Sequence, residues 1–122
     1  MKTIFLIDDS VTMLMSLESV LKRAGFNVIT ATSGSEALSK IPSVNPDLVI
    51  TDLNMPGMDG ITVIKEVKKI TSMRFKPVLM LTTESQGAKR DEAKAAGAKG
   101  WLVKPIKPEE LIAVVKQVVP GS

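Results

Sequence analysis

Cysteine and histidine are both missing from these 122 residues. Their absence removes disulfides and the thiolate and imidazole ligands that zinc and copper favour, and the lack of cysteine fits an intracellular setting. Aromatic residues are scarce as well. Three Phe, one Trp and no Tyr leave little with which to stack bases, and no recognition-helix or zinc-finger pattern is present, so nucleic acid is not an expected partner. No apolar stretch comes near the roughly 20 residues that a membrane span requires. The N-terminus lacks the basic-then-apolar pattern of a secretory signal. The expectation is a cytoplasmic protein with no membrane attachment. Linkers, repeats and low-complexity tracts are missing too. Residues 1–122 therefore read as one domain, large enough to bury a core without disulfides or structural metal.

Charge is uneven along the chain. The net value is +3, yet residues 1–60 have four Lys/Arg against seven Asp/Glu, and residues 61–122 have twelve against six. The basic half reads either as a solvated lysine-rich face or as a docking surface for an acidic partner.

Short apolar runs supply the first positive signal. Ile4 to Ile7, Leu48 to Thr51, Val78 to Leu81 and Trp101 to Val103 have the length of buried parallel strands. Each ends in polar residues: Asp8 and Asp9, Asp52, Thr82 and Lys104, respectively. Ligands of open α/β sheets bind at the carboxyl ends of the strands, so these groups are expected at one sheet edge. Three carboxylates held together stay ionised only if a cation sits among them or their pKa values rise. With oxygen donors alone the fitting cation is Mg²⁺, with Mn²⁺ as the alternative. Magnesium usually shares a phosphate oxygen, and Lys104 and the Thr82 hydroxyl suit the oxygens that the metal leaves free. The edge reads as a site of phosphoryl chemistry.

Between the strands lie helical patterns at intervals of about 20 to 25 residues, the spacing of βα units. Strand one is expected from Thr3 to Asp8, followed by a helix with Leu14, Leu17, Leu21 and Ala24 on one stripe and Gly25 ending it. Val28 to Ala31 reads as a strand. Ser33 and Glu36 form a capping-box pattern for a short helix that should stop before Pro42. Asp59 is placed to cap a third helix with the stripe Val63, Ile64, Val67 and Ile70. Gln86 to Ala96 reads as a fourth helix with only small residues for its inner face, the least anchored of the set. Pro108 opens the last helix, whose face is Leu111, Val114, Val115 and Val118, and Pro120-Gly121-Ser122 is expected to follow it as a stop. Right-handed crossovers then place helices on both faces of a doubly wound parallel sheet. Five such units suit the flavodoxin-like (βα)5 α/β fold with strand order 2-1-3-4-5, whose switch point lies between strands one and three.

Five motifs stand in order: Ile7-Asp8-Asp9-Ser10, Thr51-Asp52-Leu53-Asn54-Met55-Pro56-Gly57-Met58-Asp59-Gly60, Leu81-Thr82-Thr83-Glu84, Gly97-Ala98-Lys99-Gly100 and Val103-Lys104-Pro105. With them the chain resembles the receiver domain of bacterial two-component response regulators, most closely the single-domain CheY-like kind without an output domain, from about Lys2 to Val119. The resemblance implies that Asp52 accepts a phosphoryl group from a phosphohistidine on a sensor histidine kinase or phosphotransfer protein. It implies Asp9, Asp52 and the backbone carbonyl of Asn54 as direct Mg²⁺ ligands, with Asp8 acting through water. Thr82 and Lys104 match the positions that hold phosphoryl oxygens. Asn54 and Glu84 match those that modulate hydrolysis, and Trp101 stands where the family has its rotating aromatic. The Lys104-Pro105 bond is expected to be cis. Such a domain is a signalling switch that catalyses its own phosphorylation and dephosphorylation. It acts as a monomer, in chemotaxis or motility, by docking a downstream protein on helix four, strand five and helix five. That face carries Lys89, Arg90, Lys94, Lys99, Lys107 and Lys116.

Plainer roles stand beside these. Asp after a strand commonly caps a helix, Asn54 is a good turn former, and Glu84 can simply face solvent. A haloacid dehalogenase type of aspartyl-phosphate hydrolase is the alternative function, but Ser10 stands where that family needs a second Asp. An FMN site is disfavoured because Asp8 and Asp9 would repel its phosphate.

Overall fold

The computed structural model describes residues 1–84 and 86–119. In chain order the elements are β1 (Thr3–Ile7), α1 (Val11–Arg23), β2 (Asn27–Ala31), α2 (Gly34–Val44), β3 (Leu48–Thr51), α3 (Gly60–Lys69), β4 (Val78–Thr82), α4 (Gly87–Ala96), β5 (Gly100–Val103) and α5 (Pro108–Val118). A short 3₁₀ turn, Thr71–Met73, joins α3 to β4. The strands form one sheet in the order β2-β1-β3-β4-β5, every neighbouring pair parallel. This is the expected flavodoxin-like α/β arrangement. No helix among the described residues is long and apolar enough to cross a membrane.

Alternation along the strands divides the core in two. Phe5, Ile7, Val49, Val78 and Met80 point to the side covered by α2, α3 and α4. Ile4, Leu6, Leu48, Ile50, Leu79 and Leu81 point to the side of α1 and α5. Because successive residues face opposite sides and both sides are covered, β3 and β4 are buried at every position, which is why they read as unbroken apolar runs. Each fully buried Leu or Ile contributes roughly 1.5–3 kcal/mol to this packing.

Helix starts follow the cap residues. The Ser10 hydroxyl accepts from the Met13 N–H at 3.2 Å, and the Asp59 carboxylate accepts from the Thr62 N–H at 2.8 Å. At α2 the Ser33 hydroxyl accepts from the Glu36 N–H, while the Glu36 carboxylate reaches back to the Thr32 N–H, one residue earlier than in a standard capping box.

Three expectations need correction. α2 does not stop before Pro42 but runs through it to Val44. Pro42 lies in the last turn, so its missing N–H removes a single bond to the Leu38 carbonyl, and its fixed φ suits the helix. Asn45 then closes the helix in the left-handed region, its N–H donating to the Ile41 carbonyl at 2.7 Å. Ile70 is not part of the α3 stripe; it is extended, with φ −75° and ψ 120°, and starts the 3₁₀ turn. β1 ends at Ile7, leaving Asp8 just beyond the strand, where its N–H still donates to the Ala31 carbonyl. The expected stop at Pro120-Gly121-Ser122 lies outside the described residues.

Candidate phosphoryl-transfer site

The parallel sheet brings the strand ends together as the order requires. Asp8 and Asp9 follow β1, Asp52 follows β3, Thr82 ends β4 and Lys104 follows β5. One carboxylate oxygen from each of Asp8, Asp9 and Asp52 lies within 4.8 Å of the others. The Lys104 ammonium spans two of these groups, 2.6 Å from Asp8 Oδ2 and 3.1 Å from Asp52 Oδ2. Asp8 is 3% exposed, and its second oxygen accepts the Ser10 N–H at 2.9 Å. Asp52 Oδ1 accepts the Leu53 N–H at 2.7 Å. Asp9 is exposed and has no hydrogen-bond partner among the described residues. Burial alone would lower the Lys104 pKa, but hydrogen bonds and charge from Asp8 and Asp52 outweigh it and raise the group above its usual 10.5. Lys104 is therefore charged, and the Lys104-Pro105 bond is cis.

The backbone around Asp52 is held from behind by α3. A Cβ at Gly60 would collide with the Asp52 carbonyl and come within 2.9 Å of Leu53 Cα. Only glycine permits that approach, and the Gly60 N–H uses it to donate to the Leu53 carbonyl at 2.8 Å. The first turn of α3 is thereby docked onto the residue that follows Asp52.

Thr82 is fully buried, and its hydroxyl accepts the Glu84 N–H at 3.3 Å. It is not bonded to the acidic trio. Asn54 is exposed. Glu84 is half-buried, and its carboxylate accepts the Gln86 N–H. The Glu84 carbonyl accepts the indole N–H of half-buried Trp101 at 3.0 Å. Trp101 thus ties β5 to the segment after Thr82, and an indole N–H does so without any phenol hydroxyl. Asp59 does only what its capping position suggests.

Two participants escaped the sequence reading. The Ser10 N–H on Asp8 had a signal, the N-cap position directly after Asp8-Asp9. The Glu84 carbonyl had none, because a backbone acceptor carries no residue identity.

The donor set suits a hard cation. It consists of oxygens only, from one buried, one partly buried and one exposed Asp, so the ion would keep contact with water as magnesium prefers.

A doubly wound sheet whose switch-point edge gathers three Asp, a Thr and a Lys is the architecture of a signalling receiver rather than of a conventional enzyme. The sequence matches the response regulator receiver domain over residues 4–116, and the chain belongs to that family. Among its relatives are protein PilG of Pseudomonas aeruginosa, 33% identical over 97% of this chain and 87% of that protein, and the chemotaxis protein CheY of Thermotoga maritima, 36% identical over 96% of this chain and 97% of that protein. The structure is similar to that of the chemotaxis protein CheY4 of Vibrio cholerae, with a TM-score of 0.94 and 42% identity, covering 97% of this chain and 98% of the other. The family implies a histidine kinase or phosphotransfer protein upstream and target proteins downstream. The haloacid dehalogenase alternative is not supported.

Proposed function

We propose that this protein is a phosphorylation-activated switch in which Asp52 accepts the phosphoryl group. The observation that carries the reading is the Lys104 ammonium held against both Asp8 and Asp52 at the mouth of the acidic trio. A carboxylate oxygen of Asp52 attacks the phosphorus of a phosphohistidine. The P–N bond breaks with its electron pair returning to the imidazole nitrogen, which takes up a proton, and an acyl phosphate remains on Asp52. Lys104 turns toward the transferred oxygens and neutralises their charge. Mg²⁺, held by Asp9, Asp52 and the Asn54 carbonyl, would supply further neutralisation of the phosphoryl group. Asp8 has both oxygens committed, to Lys104 and to the Ser10 N–H, which supports its acting on the metal only through water.

Signal output follows from Thr82. Drawn to the phosphoryl group, its hydroxyl releases the Glu84 N–H, and Glu84 is the residue whose carbonyl holds the Trp101 indole. Loss of the first bond biases the second, so charge at Asp52 is read out at Trp101 and the helix beside it. A cavity of about 320 Å³ between α4 and β5, with Arg90, Lys94, Lys99 and Trp101 in its wall, offers a downstream protein a place to dock. Asn54 and Glu84 flank the phosphoryl position and set the lifetime of the acyl phosphate. The protein works as a cytoplasmic monomer in a chemotaxis or motility pathway, in keeping with relatives named for chemotaxis.

Trp101 fluorescence tests this directly, since it is the lone Trp and there is no Tyr. Mg²⁺ is expected to give a saturable change, and beryllofluoride, a stable stand-in for the phosphoryl group, a further one that Asp52→Asn abolishes. An acyl phosphate found by mass on a residue other than Asp52 would refute the assignment.

A further inference from the structure

At the other edge of the sheet, where the strands begin, Lys68, Phe75, Lys76 and Lys99 surround a recess of about 250 Å³, with Gly97 and Val118 also in its wall. Phe75 is 92% exposed and the Arg74 guanidinium lies 5.9 Å from its ring centroid. Folding gains little from a ring left in water, and the exposed face of Phe75 is open to a partner.

Cations at this edge have an ordinary explanation in part. Helices end here, and Lys68 and Lys69 in the last turn of α3 offset the exposed carbonyls of that helix. Arg74, Lys76 and Lys99 lie in connecting segments, where that account does not reach. Lys76 has Asp47 at 3.3 Å, whereas Arg74 and Lys99 have no acidic partner among the described residues. The segment is also held in place. The half-buried Lys68 ammonium donates to the Lys76 carbonyl at 2.5 Å and the Arg74 carbonyl at 3.5 Å, fixing the backbone on either side of Phe75.

Size and charge select the occupant. The recess falls below the roughly 300–1,000 Å³ of small-molecule pockets, but suffices for one large apolar side chain. A planar lipid surface would leave the concavity unfilled, and a single ring gives a nucleic acid strand little to stack on. We propose that this edge docks an acidic peptide segment of a partner protein. One apolar side chain enters the recess beside Phe75, and flanking carboxylates pair with Arg74 and Lys99. Because the strand ends with Asp52 lie at the opposite edge, this contact is independent of phosphorylation and serves as a standing tether.

A fluorescein-labelled peptide with one leucine between two pairs of glutamates provides the probe. Saturable binding is expected, with amide shifts in the ¹⁵N spectrum at Arg74, Phe75 and Lys76 and no change in affinity on adding beryllofluoride. Phe75→Ala and Arg74→Glu, both at exposed positions away from the α4 and β5 cavity, are each expected to weaken it at least about tenfold. Absence of saturable binding, equal binding by both variants, or shifts confined to the α4 and β5 face would overturn the proposal. So would tighter binding, with the same shifts, of phosphatidylglycerol vesicles or a single-stranded oligonucleotide. None of these outcomes touches the role of Asp52, which the fluorescence experiment decides separately.

Discussion

α3 and α4 have the same length, ten residues each, and lie side by side on one face of the sheet, yet they are held in opposite ways. α3 buries Gly60, Ile61, Val63, Ile64 and Val67, starts on the Asp59 cap, and docks its first turn against the Asp52 backbone. α4 buries Ala93 alone, and among the described residues no side chain caps its start. Most helix stability in proteins comes from packing of an apolar face, so the two differ in how much they lose by moving. One helix fixes the backbone at Asp52, the proposed phosphoryl acceptor; its neighbour is held by far less. A receiver needs both qualities, and here they are assigned to adjacent elements rather than averaged over the fold.

The contrast can be broken most directly by truncating each helix's buried contact. Ile64→Ala is expected to cost about 4 kcal/mol in urea unfolding, against about 1 kcal/mol for Ala93→Gly. Similar losses from the two would end the distinction.

Next in size is the link between the two halves. Lys104 fastens the end of β5, on the α4 side, to the ends of β1 and β3, with all three side chains at least 88% buried. Lys104→Met is expected to lose about 3 kcal/mol without divalent ions, because it leaves two carboxylates uncompensated. Added Mg²⁺ should restore part of that loss. In the unaltered protein the Lys104 pKa is raised on folding, so this stabilisation is complete below pH 10.5 and fades only as pH climbs through the raised value. A loss setting in near neutral pH would contradict the ion-pair assignment.

Hydrogen exchange sharpens the comparison without mutation. α4 amides are expected to exchange at least about tenfold faster than those of α3, since local opening follows the number of buried contacts. Beryllofluoride should alter the α4 rates and leave α3 almost unchanged.

The smallest effect lies away from both helices. Burial would raise the Asp47 pKa, but the hydrogen bond from the Thr3 N–H and the pairing with Lys76 outweigh it and lower the group below its usual 3.8. Its contribution is present above pH 3.8 and disappears as pH falls through the lowered value. Asp47→Asn is expected to cost about 1 kcal/mol at pH 7, and less as pH is taken below 3.8, by thermal unfolding across that range.

Legibility in the sequence followed periodicity. Parallel strands buried on both faces appear as apolar runs, so β1, β3 and β4 and the polar groups that end them could be read directly; β5 showed as a short apolar run although none of its residues is buried, and the sheet order followed from chirality and spacing. The weakness of α4 was readable for the same reason, as a helix offering only alanines. Elements too short for a period were not readable. The Thr71–Met73 turn hides fully buried Met73, and three residues cannot display a pattern. Pro42 misled because a proline's effect depends on how many turns follow it. The Trp101 bond to the Glu84 carbonyl and the Lys68 bonds to two loop carbonyls end on backbone, where residue identity says nothing.

The ion pair between Lys104 and Asp8 joins residues 96 positions apart. A chain leaving the ribosome has made its three acids by residue 52 and its cation only at residue 104. Until β5 takes its place the edge is a bare anionic cluster, which repels phosphate. At the proposed site, competence to receive a phosphoryl group therefore waits on β5, and a nascent chain that lacks this strand is expected to stay silent even where its first strands have already paired.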